Sequence, residues 1–144
     1  MGQTQKTALV TGGAGGIGRA ICQALAATGT AVAVHYHTNE VAAEELAQRL
    51  RGQQVRAAAY GADTTDPEAA HELVRRVDED LDGIDILVNN AGITVGGLEV
   101  ADTEVDAWLH MVDVNLNSVF YLCRAAIPRL RIRGGGHIVN VAST

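Results

Sequence analysis

At 144 residues, 47% hydrophobic and 19% charged, the chain is sized and composed for one packed core, which excludes disorder, a collagen-like repeat and a disulfide-stapled miniature. A net charge of −6, with Lys6 the sole lysine, excludes an electrostatic nucleic-acid surface, which needs clustered cations to displace counterions. Cys22 and Cys123 have no near partner and no metal-ligand spacing, and no apolar run reaches the length of a membrane span or a leader, so the expectation is a soluble, cytoplasmic protein with two buried thiols.

The first apolar run, residues 7–10, reads as a strand and passes straight into TGGAGGIG at 11–18. An Ala-rich helix over 16–28 follows, with Ile17, Ile21 and Leu25 at helical spacing. Residues 31–36 form the next strand, and 40–51 a helix whose apolar stripe is Ala43, Leu46, Ala47 and Leu50. A strand over 55–60 leads to a helix over 67–81, opened by Asp66 as N-cap and Pro67 at its first position. A fourth strand is predicted over 84–88, then a long helical region over about 103–133 that breaks or bends near Val114 and Asn115, where β-branching and Asn lower helix propensity. Three glycines, 134–136, turn the chain into a last strand over 137–141. The runs ALV, AVAV and DILV are apolar on both faces, which implies a parallel sheet buried between two helical layers. Repeats, low-complexity tracts and linkers are absent from the sequence.

A glycine-rich turn between a strand and a helix suits an anion. Glycines let the backbone approach a phosphate, and free N–H groups with the helix dipole near Gly16 supply positive potential without a cationic side chain. The same turn also serves simple close packing, so the pattern alone leaves both readings open. At the end of the second strand, an acidic side chain would accept from a ribose 2′-OH and repel a 2′-phosphate. Tyr36 stands there, followed by His37 and Thr38, with Arg19 just after the turn. This neutral-to-positive setting favours NADP over NAD. His35 and His37 alternate along one strand but have no third ligand, so no metal is expected.

The glycine spacing is T-G-x-x-x-G-x-G, and it is followed in order by Asp63-Thr64, NNAG at 89–92, Asn115 and IVNVAS at 138–143. In this series the chain resembles the short-chain dehydrogenase/reductase family over its whole length. The wording LVTGGAGGIGRAI, DILVNNAGIT and VNLNSVF is most similar to 3-oxoacyl-acyl-carrier-protein reductases and their close relatives. The resemblance implies an α/β, Rossmann-type doubly wound parallel sheet in three layers, strand order 3-2-1-4-5, as a single dinucleotide-binding domain over residues 1–144. It places Gly12, Gly15, Gly16, Ile17 and Gly18 around the pyrophosphate and adenosine ribose, Asp63 and Thr64 at the adenine edge, and Asn90, Ala91 and Gly92 along the ribose side. Ser143 matches the serine that polarises the substrate carbonyl, and Asn115 the asparagine that supports a water and proton relay. By residue type alone, Asp63 is equally a solvated loop carboxylate, Ser143 a strand-end hydroxyl and Asn115 a satisfied polar group in a bent helix.

The function the resemblance implies is NADPH-dependent reduction of a ketone, with a 3-oxoacyl thioester as the expected substrate. A sugar or polyol substrate, and a non-catalytic nucleotide-binding module or half of a complemented enzyme, are the alternatives. The family's Tyr proton donor with Lys four residues later is not in these residues: Tyr36, Tyr60 and Tyr121 are followed four positions on by Glu40, Thr64 and Ala125. The expectation is that this pair, with the rest of the substrate pocket, lies in a catalytic portion after Thr144, and that the 144 residues alone are inactive. Association into a homo-dimer or homo-tetramer is expected through the apolar positions of the 112–130 helix, with neither nucleic acid nor membrane as partner.

Overall fold

The computed structural model describes residues 5–97 and 99–143. Five parallel strands, β1 (Thr7–Val10), β2 (Ala31–Tyr36), β3 (Ala57–Gly61), β4 (Ile86–Asn89) and β5 (His137–Asn140), form one sheet in the order β3-β2-β1-β4-β5. Helices α1 (Gly16–Ala27), α2 (Glu40–Arg51), α3 (Pro67–Asp80), α4 (Val105–Val112) and α5 (Ser118–Ile132) connect them. Each strand sends alternate side chains to opposite faces. Leu9 and Leu87 pack with α3 and α5, whereas Val10, Val34 and Val88 pack with α1 and α2. Two cores therefore sandwich the sheet, and this is why the runs ALV, AVAV and ILV of its central strands are apolar on both faces. The doubly wound fold is the one anticipated from the sequence.

Local chemistry sets the element ends. Asp66 accepts the Glu68 N–H at 3.0 Å and Pro67 follows it, so α3 starts where predicted. Pairing of β3 begins two residues later than expected, because Gln54 sits at φ 63° and turns the chain into the sheet; Val55 is buried without pairing. β4 also starts two residues late. Ile84 is core, but Asp85 spends its carboxylate on the Thr7 N–H at 2.9 Å and on Arg133 at 2.8 and 3.1 Å. β5 ends at Asn140, although the Val141 N–H still donates to the Asn89 carbonyl at 3.0 Å.

The long helical region is two helices joined by a π-helical turn over Asp113–Asn117, so the predicted bend is real and takes this form. Of the thiols, Cys22 is buried, and burial pushes it up to about 12. Cys123 departs from expectation: it is half-buried, its sulfur 3.6 Å from the Asn89 side-chain nitrogen. Among the described residues no helix is long and apolar enough to cross a membrane. The chain runs out through β2 and β3 and then returns to lay β4 on the other side of β1. A crevice opens at the carboxyl ends of β1 and β4, where the direction of winding reverses.

Candidate nucleotide site

The loops after β1 and β4 are clasped together by two side chains. Thr11 is buried, and its Oγ accepts the N–H groups of Asn90 and Ala91, each at 3.0 Å. In return, Asn90 Nδ2 donates to the carbonyls of Thr11 at 2.9 Å and Gly12 at 3.2 Å. The Gly12 carbonyl also accepts the Gly15 N–H at 3.1 Å, which closes the turn on itself.

The glycines have separable jobs. Gly12 takes φ +59°, a left-handed conformation, and a side chain there would press on the Ala91 backbone at 3.1 Å. A Cβ on Gly18 would collide with the Gly12 carbonyl oxygen and lie 2.7 Å from Asn90 Nδ2, so Gly18 lets α1 come close beneath the turn. A Cβ on Gly16 would meet nothing within 4 Å. Its missing side chain keeps space clear in front of the first turn of α1, where unpaired N–H groups and the helix dipole face outward.

Below the turn lies His35, which is buried. Its Nδ1 accepts the Gly12 N–H at 3.2 Å and its Nε2 stands 3.0 Å from the Ala62 carbonyl. Tyr36 packs its ring against Gly61, where a Cβ would fall 2.8 Å from the phenol oxygen, so this side chain is tied to the strand pair. His37 stays exposed, with Nε2 4.0 Å from Asp63 Oδ2. The Asp63 carboxylate accepts the Thr65 hydroxyl at 2.6 Å and the Thr65 N–H at 3.0 Å, and these bonds hold it below the usual carboxylate range. Thr64 beside it is buried.

These pieces line one cleft of about 630 Å³: Gly12, Gly15, Gly16, Ile17 and Gly18 from the turn, Tyr36 at the end of β2 and His37 after it, Asp63 and Thr64 after β3, and Asn90, Ala91 and Gly92 after β4. All the residues expected at a nucleotide are thus brought together. Asn115 and Ser143 are not on the cleft wall. In the π turn, the Asn115 side chain grips one residue by both main-chain groups, accepting the Ile93 N–H at 2.9 Å and donating to the Ile93 carbonyl at 2.8 Å. Ser143 is exposed three residues beyond β5, at the same carboxyl edge of the sheet. Arg19 does not line the cleft, and the charged groups that act on the Tyr36 phenol are Glu40, to which it is hydrogen-bonded, Glu44 and Arg76, so the setting inferred there as neutral to positive holds carboxylates as well. The sequence reading missed His35, Thr11 and Ile93, along with His110 of α4, which closes one side. His35 drew notice only as half of a metal pair, and both its ring nitrogens are taken by backbone groups.

The family model described as short chain dehydrogenase matches residues 6–144. D-beta-hydroxybutyrate dehydrogenase of Cupriavidus necator is 40% identical over 141 residues, covering 96% of this chain and 53% of that protein. Acetoacetyl-CoA reductase of Allochromatium vinosum is 40% identical over 139 residues, covering 96% of this chain and 56% of that protein. A crystal structure of a short chain dehydrogenase from Burkholderia cenocepacia in complex with NADP superposes with a TM-score of 0.90 at 39% identity, covering 99% of this chain and 57% of that one. The chain spans about half the length of the curated relatives it matches.

Proposed function

The chain belongs to the short chain dehydrogenase family, and from that premise we propose that its cleft binds NADP(H) for hydride exchange with a carbonyl or alcohol substrate, in the reducing direction a 3-oxoacyl thioester. The observation that carries the reading is the open space over Gly16 at the head of α1, bounded by the Thr11–Asn90 clasp. A pyrophosphate fits there: the turn offers N–H donors and the helix dipole to an anion. When bound, the nicotinamide supplies the hydride.

The chain's own residues hold and orient. Asp63 and Thr64 sit at the adenine side, and Asn90, Ala91 and Gly92 along the ribose. Asn115 keeps Ile93 in place beside the cleft, and the Ser143 hydroxyl polarises the substrate carbonyl as its oxygen gains charge. Two observations support NADP over NAD: the residue that ends β2 is Tyr36 and not a carboxylate, and the Burkholderia cenocepacia relative is in complex with NADP. The acyl-thioester substrate is favoured by the likeness to an acetoacetyl-CoA reductase. The proton donor is proposed to lie outside these residues, which contain no Tyr with Lys four positions on. The second reading is a nucleotide-binding module without catalysis, which the same titration tests.

Association through α4 and α5 and a cytoplasmic site of action complete the proposal. Its test is a titration with NADPH and NADH followed by addition of acetoacetyl-CoA, with reduced-nicotinamide absorbance as the readout. Tighter binding of NADPH is expected, with turnover only from a polypeptide that also carries the Tyr and Lys. Binding without turnover from such a polypeptide would establish the second reading, and failure to bind either nucleotide would overturn both.

A further inference from the structure

His35 lies under the glycine turn, 2% exposed, with both ring nitrogens engaged. Because Nδ1 accepts the Gly12 N–H at 3.2 Å, the ring is neutral and carries its proton on Nε2, which donates to the Ala62 carbonyl at 3.0 Å. The His35 main chain adds a further tie, its carbonyl accepting the Gly13 N–H at 2.9 Å. One residue thus fastens the turn after β1 to the segment after β3, whose next residues are Asp63 and Thr64. These are the two facing walls of the cleft. Gly12 is held at φ +59°, so the direction of the turn depends on what its N–H finds to bond.

We propose that His35 is a positioning residue for the nucleotide: acting through Gly12 and Ala62, its neutral ring locks the pyrophosphate turn to the adenine-side wall and so sets affinity. The proposal rests on the reading of the cleft as a dinucleotide site. A second proton would place N–H on both nitrogens, and Nδ1–H would then face the Gly12 N–H donor against donor, so ring or turn must move. Burial holds the ring below its ordinary value, opposed by the bond to Ala62. Of the charged groups that act on it, His37 just after its own strand lowers it further and Asp63 beyond β3 raises it. The neutral ring is the binding form. Affinity is therefore full above the ordinary value of 6.5 and is lost as pH falls through the lowered native value.

The test is calorimetric titration with ADP-ribose, which carries a pyrophosphate but no phosphomonoester that would itself titrate near about pH 6. The unsubstituted protein should bind with constant affinity above about pH 7 and weaken on acidification toward a limit of about tenfold per pH unit. His35→Asn keeps an acceptor for the Gly12 N–H and does not titrate. It should bind within about threefold of the unsubstituted protein at about pH 8 and lack the acid loss. His35→Leu should bind about tenfold more weakly at that pH, the effect of one buried hydrogen bond. The same acid loss in His35→Asn, or full affinity in His35→Leu, would overturn the proposal while leaving the nucleotide site standing. Should His35→Leu fail to fold, the profiles of the unsubstituted protein and His35→Asn decide. No binding by the unsubstituted protein at any pH would overturn the site and the proposal together.

Discussion

Gly18 and Tyr36 show how single positions divide packing from recognition. At Gly18 even a methyl group would overlap the Gly12 carbonyl, which is backbone and has little room to retreat. Gly18→Ala should therefore cost about 1–3 kcal/mol of folding stability, read as a lowered midpoint in urea, and an unchanged midpoint would show that the turn relaxes freely. Tyr36 occupies the position where a carboxylate would select a free ribose hydroxyl. Tyr36→Asp should weaken NADPH binding at least about tenfold more than NADH binding, and equal effects on the two would contradict the cofactor assignment. The glycine spacing, NNAG and Asp63-Thr64 were legible in the sequence because their spacing is local. His35 and Thr11 were not, because each acts on backbone groups that only the folded sheet brings near: Thr11 meets Asn90 and Ala91 across 79 and 80 residues.

At the scale of elements, hydrophobic period placed the five strands and α1, α2 and α3, and the differences lie at the starts of β3 and β4 and in the long helical region. Asp85 lies inside an otherwise apolar run just ahead of β4, where its carboxylate binds Arg133 and the Thr7 N–H while its main chain bonds Thr7 and His137 on either side. Burial pushes its carboxyl upward, but Arg133 and the Thr7 N–H together outweigh this and hold it below the usual range. A lowered native value means that the stabilisation is complete above the ordinary value of 3.8 and is lost as pH falls through the native one. Asp85→Asn should destabilise by about 2 kcal/mol at neutral pH, since it leaves Arg133 without its carboxylate. The difference from the unsubstituted protein should shrink in acid, and a pH-independent difference would argue against this ion pair as its cause. The bend near Asn115 was legible from propensity, but its π form was not. That form lets Asn115 reach both main-chain groups of Ile93, a pairing across 22 residues.

For the whole molecule, the doubly wound topology follows from alternating elements and from strands apolar on both faces, so the crevice between β1 and β4 could be located before any contact was known. The surface outside the cleft was less legible. Helical period in 112–130 could not say which apolar positions face the sheet; Leu122, Ala126 and Leu130 do, while Leu116 and Phe120 are 64% and 62% exposed. Two large exposed apolar side chains on neighbouring turns fit a protein interface. Replacing both by Asp should lower the sedimentation mass of the protein, and an unaltered mass would remove that face from the assembly. The central claim, that the turn at the head of α1 cradles a dinucleotide phosphate, is tested most directly by NADPH titration of Gly16→Val. A side chain at this position meets no atom of the protein but fills the space reserved for the phosphate, so binding should be lost with the thermal midpoint nearly unchanged. Retained affinity in a folded Gly16→Val protein would contradict the account.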